Sequence, residues 1–159
     1  MGGGISLQWY VMNLRYLRVQ SLTPALQSAG MEFFIPPKIT NLIFLHSTQD
    51  IIDLFLTSSP LGGKVSFMRS RQDYKPIVVR DADMDVFISI CKYCEMPILM
   101  TEKPVITLGD HVRVKDGPLR GTEGYVVRMR KSKRVLVEVA GIIWAATSYI
   151  PPEMLEVLD

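Results

Sequence analysis

The chain has few of the features that mark membrane-spanning or secreted proteins. Two cysteines among 159 residues do not make a disulfide framework. No segment approaches the roughly 18 consecutive apolar residues of a membrane span, and the first residues lack the basic and apolar regions of a secretory signal. We therefore expect a cytoplasmic protein that has no membrane partner.

The chain also lacks a strong net charge. The formal charge is +2, with nine Lys/Arg against eight Asp/Glu in residues 1–100 and the same numbers in residues 101–159. The overall charge therefore does not indicate a nucleic-acid partner, and any such site must be a local cluster. The hydrophobic share of 48% and the charged share of 21% are those of an ordinary globular protein.

Sequence motifs of common enzymes are absent as well. The chain has no Gly-x-Ser-x-Gly segment, no Walker loop and no His-Glu-x-x-His segment. Asp81, Asp83 and Asp85 alternate near the start of a predicted helix, where carboxylates favour the positive end of the helix dipole. A metal site there would need further ligands. We expect no catalytic site, no bound metal and no cofactor.

The two cysteines, Cys91 and Cys94, have the Cys-x-x-Cys spacing of redox and zinc sites. A structural zinc site usually needs a second such pair, and the only two histidines, His46 and His111, lie in other segments. Packing in the hydrophobic core is therefore the favoured interpretation of both thiols. A thiol-redox enzyme is the third and weakest of three functional hypotheses.

The first two thirds of the chain alternate between short strand patterns and helix patterns. Aromatic and branched residues predict strands at 7–12, 32–35, 41–45, 65–68 and 76–79. Helices are predicted within 16–29, after Ser47-Thr48 and from Asp81, and Pro24 predicts a kink or a break in the first of them. This order favours an antiparallel sheet covered by helices, which is an α+β arrangement.

A strand, a glycine-rich loop and a second strand follow at residues 109–129. Val112-Arg113-Val114-Lys115 alternates apolar and basic residues, Asp116-Gly117-Pro118 predicts a turn, and Gly121 and Gly124 precede a second alternating run. This spacing resembles the KOW motif. The resemblance implies a small SH3-like β-barrel, a fold that hosts many unrelated functions.

The order of motifs along the whole chain resembles the NusG family of transcription elongation factors. The resemblance runs from Trp9-Tyr10-Val11 through a helix ending at Gly30, Met31–Pro36 and Asn41–Leu45 to the KOW motif, and it spans residues 7–158. Together with the prolines near residue 100, it divides the chain into four segments. These are a flexible leader (1–6), a NusG N-terminal-like domain (7–96), a linker (97–104) and a KOW domain (105–159).

A narrower similarity is to the UpxY-type NusG paralogues, which act on capsular polysaccharide operons. Asn41-Leu42-Ile43-Phe44 and the segment from Gly141-Ile142 to Ala146-Thr147, followed by Ile150, carry this similarity. One departure is the short link Pro37-Lys38-Ile39-Thr40, where relatives usually have a long basic loop. Functions of that loop, including reaching over DNA, are not transferred to this chain.

The NusG resemblance implies an operon-specific antitermination factor that binds elongating RNA polymerase. The implied polymerase-binding residues, which would contact the clamp region, are Asn13, Ile39, Leu42 and Phe44. Arg15 and Arg18 fall where relatives contact the non-template DNA strand. The KOW domain would recruit a second partner, which is a ribosomal protein or nascent RNA.

The apolar run at 41–45 does not by itself decide which of these side chains are exposed. Side chains alternate along a strand, so Leu42 and Phe44 share one face while Ile43 and Leu45 share the other. One pair packs under the helices, and the other pair either meets a partner or is also covered within the domain. The family resemblance favours an uncovered face that carries Leu42 and Phe44.

Five cations cluster in a predicted hairpin after the KOW loop. They are Arg128, Arg130, Lys131, Lys133 and Arg134. Phosphate contact is one interpretation, since each neutralised phosphate releases counterions, and a solvated turn that protects a sheet edge is the other. No neighbouring aromatic platform indicates base stacking. An RNA- or ribosome-binding module that uses this hairpin is the second functional hypothesis.

Overall fold

The computed structural model describes residues 6–159, and the chain divides into two compact units, residues 1–81 and 82–159. Residues 1–5 of the expected leader lie outside the described residues. Within residues 6–159, no helix is long and apolar enough to cross a membrane. Each unit is built on one antiparallel sheet, which confirms the expected mixture of helices and antiparallel strands.

The first unit contains a five-stranded sheet. Its strands are β1 (Gln8–Leu14), β2 (Glu32–Phe34), β3 (Leu42–Ser47), β4 (Val65–Phe67) and β5 (Val78–Val79). Their order is β2-β3-β1-β4, and β5 also pairs with β1. In the β1–β3 pair, Val11 lies opposite Phe44 and Asn13 lies opposite Leu42. Both strands are interior strands of the sheet, where apolar side chains can be buried on both faces.

Two α-helices, α1 (Thr23–Ser28) and α2 (Gln49–Ser58), belong to the first unit. The expected break near Pro24 is confirmed. A 3-10 turn at Val19–Ser21 precedes α1, and Pro24 lies in the first turn of α1, where its missing N–H group is not needed. Helix α2 begins after Thr48 as predicted, because Thr48 Oγ1 accepts a hydrogen bond from Ile51 N at 3.2 Å.

The core of the first unit is formed by one face of the sheet, the helices and the adjoining segments. Its buried apolar residues are Tyr10, Met12, Leu14, Val19, Leu22, Leu26, Met31, Ile43, Leu45, Ile52, Val65 and Phe67. Ile43 and Leu45 therefore occupy the β3 face that packs into this core. Removal of such apolar surface from water is the main stabilising contribution to a unit of this kind.

The second unit contains most of α3 (Asp81–Tyr93) and a six-stranded sheet. The strands are β6 (Ile98–Met100), β7 (His111–Val114), β8 (Glu123–Met129), β9 (Ser132–Val139), β10 (Ile143–Ala146) and β11 (Leu155–Leu158). Their order is β11-β7-β8-β9-β10-β6. Among residues 6–159 the two end strands do not pair with each other and no closed barrel is found, so the predicted SH3-like barrel is not confirmed.

Strand β6 lies within residues 97–104, where a linker is expected. It pairs with β10 along its full length, and the buried Ile98 joins a small apolar cluster with Val127, Leu136 and Ala146. The prolines of this segment flank the strand, where they remove no hydrogen bond from the ladder. Along the chain, the division into compact units falls after Asp81, whereas the sequence predicts a boundary near residue 96.

The glycines of the β7–β8 loop and of the start of β8 are needed for two separate reasons. Gly117 and Gly121 have φ angles of 83° and 90°, in the left-handed region that favours glycine. At Gly124, an added Cβ would overlap the backbone oxygen of Leu136 and lie 2.9 Å from Val135 Cγ1. Gly124 therefore allows β8 and β9 to approach each other closely.

Candidate functional site

A groove of about 850 Å³ lies on the first unit, between the segment after β1 and the segment that joins β2 to β3. Its apolar lining residues are Leu14, Leu17, Val19, Ile35, Pro36, Pro37 and Ile39. Its polar and charged lining residues are Tyr16, Arg18, Gln20, Lys38, Thr40 and Asn41. We call it the Arg18 groove. Concave surfaces that combine apolar walls with polar groups are typical of binding sites in general.

The backbone on both sides of the Arg18 groove is held in an unusual conformation. Leu14 N donates to Asn41 O at 2.9 Å, which joins the two sides. Beyond this bond, Tyr16 and Lys38 have φ angles of 53° and 64°. The left-handed region is unfavourable for residues other than glycine, and such conformations are concentrated at functional sites. Tyr16 is also 93% exposed, so its ring is available to a ligand.

Three cations give this part of the first unit a positive charge. Arg15, Arg18 and Lys38 are all exposed. Within residues 6–159, none of their side chains forms an ion pair or a hydrogen bond. Neighbouring unpaired cations raise the local electrostatic potential and attract anionic partners. The groove therefore combines apolar contact surface with a site for negative charge.

The structure brings some of the predicted site residues of the first unit together. Arg18 and Ile39 both line the Arg18 groove, although Ile39 is only 8% exposed, and Arg15 lies in the chain between the lining residues Leu14 and Tyr16. The sequence reasoning missed Tyr16 and Lys38, because nothing in their residue type indicates a left-handed backbone. The weak signal available for Lys38 was its place in the short link after two prolines, where the chain must turn.

Leu42 and Phe44 do not form the uncovered face expected for polymerase binding. They are 3% and 0% exposed, and their β1 neighbour Val11 is also fully buried. The predicted exposure of these two residues is therefore wrong. An interior strand with both faces covered produces the same continuous apolar run. Asn13, opposite Leu42, is half-buried on β1.

The predicted basic cluster lies at the tip of the β8–β9 hairpin. Met129 pairs with Ser132, so Arg130 and Lys131 alone form the turn, with φ angles of 49° and 65°. Two left-handed residues are required by a type I′ turn, in which Asn and Gly are the usual choices. We call the exposed cations of this hairpin the basic tip: Arg128, Arg130, Lys131 and Lys133.

Arg134 is not part of the basic tip, and its predicted role in nucleic-acid binding is not supported because the residue is buried. Its Nη1 donates to Met96 O at 2.8 Å and to Thr147 O at 3.0 Å, while Nε donates to Met129 O at 3.2 Å. These bonds satisfy a buried charge, which is otherwise costly. The alternation of side chains along a strand could have predicted that Arg134 lies apart from the basic tip, because Arg134 and Lys133 must face opposite sides of β9.

The Cys-x-x-Cys pair does not have the properties of a reactive thiol site. Cys91 and Cys94 are both half-buried and unpaired by a disulfide. Burial, and then the nearby Cys94, raise the pKa of the Cys91 thiol to about 12. Reactive cysteines instead need a lowered pKa. Within the described part of the chain, no three His, Cys, Asp or Glu side chains come close enough to hold a metal ion together.

Comparison with known proteins reveals a likeness of fold. No family model matches the chain, and no curated protein matches its sequence. Nine chains of solved structures match it. One of them is NusG of Thermotoga maritima, from a structure concerned with domain interaction, with a TM-score of 0.56 and 14% identity over 97% of this chain and 98% of that chain. At this identity the likeness establishes a NusG-like fold.

Proposed function

We propose that this chain, with a NusG-like fold over nearly its whole length, binds RNA polymerase and promotes transcription elongation past pause and termination sites. The match to NusG across 97% of the chain is the observation that carries the proposal. Because one fold can host several functions, the proposal also depends on the residues of the Arg18 groove. The proposed activity is binding without catalysis, and it places the protein in the cytoplasm.

The Arg18 groove replaces the buried Leu42 and Phe44 as the proposed contact surface. The apolar residues that the groove leaves exposed or half-buried, Leu17, Ile35 and Pro37, would pack against the polymerase clamp region. Protein interfaces gain most of their binding energy from a few such desolvated contacts. Arg15 and Arg18 would lie towards the non-template DNA strand, whose phosphates they would neutralise. Lys38 adds a third cation on the opposite side of the groove.

The finer assignment rests on sequence resemblance. The segments similar to UpxY-type paralogues favour an operon-specific factor that acts on capsular polysaccharide genes. In this proposal the second unit recruits a ribosomal protein or nascent RNA while the first unit holds the polymerase.

The test is capture of core RNA polymerase by the full chain, together with transcription through a terminator. Reversal of two groove charges, Arg18→Glu with Lys38→Glu, should weaken capture and read-through by at least about tenfold, since attraction becomes repulsion. The matched control is Arg71→Glu with Lys75→Glu, which makes the same charge change at two exposed residues between β4 and β5. Circular dichroism should show that both variants are folded.

Two outcomes would refute the proposal. One is a wild-type chain that neither retains polymerase nor changes read-through. The other is an equal loss in the groove variant and in the control, which would indicate a dependence on overall charge and no specific role for the groove.

A further inference from the structure

The conformation of the basic tip is unfavourable for the hairpin itself. Arg128 lies directly opposite Lys133, and like charges in that arrangement repel each other. Arg130 and Lys131 occupy the two left-handed positions of the turn, which Asn-Gly would adopt with less strain. Because strained conformations persist mainly where function requires them, the four cations need an explanation outside the stability of the fold.

The basic tip also has no partner in the chain to neutralise it. Within residues 6–159, none of its four side chains forms an ion pair or a hydrogen bond. Arg113 of the same sheet is different, because it lies 3.4 Å from Glu123 and 3.3 Å from Glu156. The fold therefore pairs some of its surface cations and leaves the basic tip available to an anion from outside.

We propose that the basic tip binds the phosphodiester backbone of a nucleic acid, as a second site independent of the Arg18 groove. A protein partner would need an apolar anchor, because interface cores are depleted of charged residues. Between residues 126 and 148 no large apolar side chain is exposed, and the exposed Tyr125, nearer the start of β8, is stacked on His111. An array of long cations without an apolar anchor suits phosphate groups, and the lack of an aromatic platform makes the contact independent of base sequence.

The test is fluorescence anisotropy of the full chain with a fluorescein-labelled single-stranded RNA of mixed sequence. If the basic tip neutralises four phosphates, it should contribute about −2.8 to the slope of log K against log salt, so the tip contacts alone should lower affinity about 50-fold between 50 and 200 mM salt. Matched single-stranded DNA and duplex DNA form parallel arms, and the arm with the tightest tip-dependent binding identifies the source of the phosphates.

Two double variants locate the site. Arg130→Asn with Lys131→Gly removes two cations and relieves the turn, so the slope should become shallower by about 1.4. Arg128→Gln with Lys133→Gln leaves the turn unchanged and should have the same effect. The control is Lys115→Ala with Arg120→Ala, which removes two exposed cations elsewhere in the second unit and should leave the slope unchanged.

The proposal is overturned if the wild-type chain binds no nucleic acid, or if the tip variants keep the wild-type slope. It is also overturned if the control variant loses as much RNA affinity and salt slope as the tip variants do. Displacement of the RNA by polyglutamate at equal charge concentration would favour an acidic protein as the ligand and would equally refute the proposal. The tip variants should still capture RNA polymerase, so failure of this site is distinguishable from failure of the proposed function.

Discussion

Replacement of Gly124 by alanine should destabilise the second unit through a steric overlap that the backbone cannot relieve locally. The added Cβ would meet Leu136 O and Val135 Cγ1, both of which belong to β9. Because a main-chain oxygen cannot rotate away, β9 has to move relative to β8. Overpacking typically costs about 1–3 kcal/mol, and the backbone clash places Gly124→Ala near the upper end, at about 3 kcal/mol.

Two other glycines separate this steric effect from the effect of backbone conformation. An added Cβ at Gly121 meets nothing within 4 Å, but its φ is +90°, so Gly121→Ala should cost about 1–2 kcal/mol. At Gly63 the space is also free and φ is outside the left-handed region, so Gly63→Ala should change stability by less than about 0.5 kcal/mol.

The assay is urea unfolding followed by tryptophan fluorescence. The chain has two tryptophans, Trp9 in the first unit and Trp144 in the second. In a Trp9→Phe background, Trp144 reports on the second unit alone. A loss of about 3 kcal/mol should lower the urea midpoint by about 1–3 M. Gly63 lies in the first unit, so Gly63→Ala is followed through Trp9 in a Trp144→Phe background. If Gly124→Ala costs no more than Gly63→Ala, the close approach of β8 to β9 at Gly124 is refuted.

Three further predictions concern single side chains of the second unit. Arg134→Met should lower the free energy of unfolding by about 3 kcal/mol, because three carbonyl oxygens lose a charged donor; it should leave the salt slope of RNA binding unchanged, and a fall in that slope would place Arg134 in the interface. Thr147→Val should cost about 1–3 kcal/mol in urea unfolding, since Val135 N–H donates to Thr147 Oγ1 at 3.0 Å, and Thr147→Ser should retain most of that stability. Cys91, with a pKa raised from 9.0 to about 12, should have about 1,000-fold less thiolate at pH 7.5 than an unperturbed thiol. Burial, the larger cause of the raised pKa, remains in a Cys94→Ser variant, so Cys91 should still react slowly with iodoacetamide there. The raised pKa favours the neutral thiol in the folded state, so this stabilisation is complete below pH 9 and is lost as the pH rises through about 12; rapid alkylation of the folded protein at pH 7.5 would contradict it.

The predictions that depend on neighbouring residues were the successful ones. Pro24 and Thr48 mark helix beginnings through bonds made within one turn, so a short stretch of sequence suffices to locate them. Strand β6 could not be found in this way. Three residues between prolines become a strand because β10, more than 40 residues later, pairs with them. Such pairing depends on the completed sheet and leaves little local signal.

The residues of the candidate site also divide into those that local sequence indicates and those whose position depends on the completed fold. Residue type and family resemblance directed attention to Arg18 and Ile39, and both line the groove. Whether Leu42 and Phe44 are exposed depends on what covers the sheet, and a run of apolar residues cannot distinguish one buried face from two. Arg134 was grouped with its neighbours by charge, although successive side chains of a strand point to opposite faces, so Arg134 and Lys133 cannot share one.

Strand β6 has a consequence for how the second half of the molecule can be isolated. A fragment that begins at Val105, where the motif-based domain begins, would omit β6 and leave the outer edge of β10 without hydrogen-bond partners. Bare edges of this kind recruit other chains and lead to aggregation. It would also remove Met96, whose carbonyl accepts a bond from Arg134. The smallest self-sufficient piece is therefore longer than its recognisable motif.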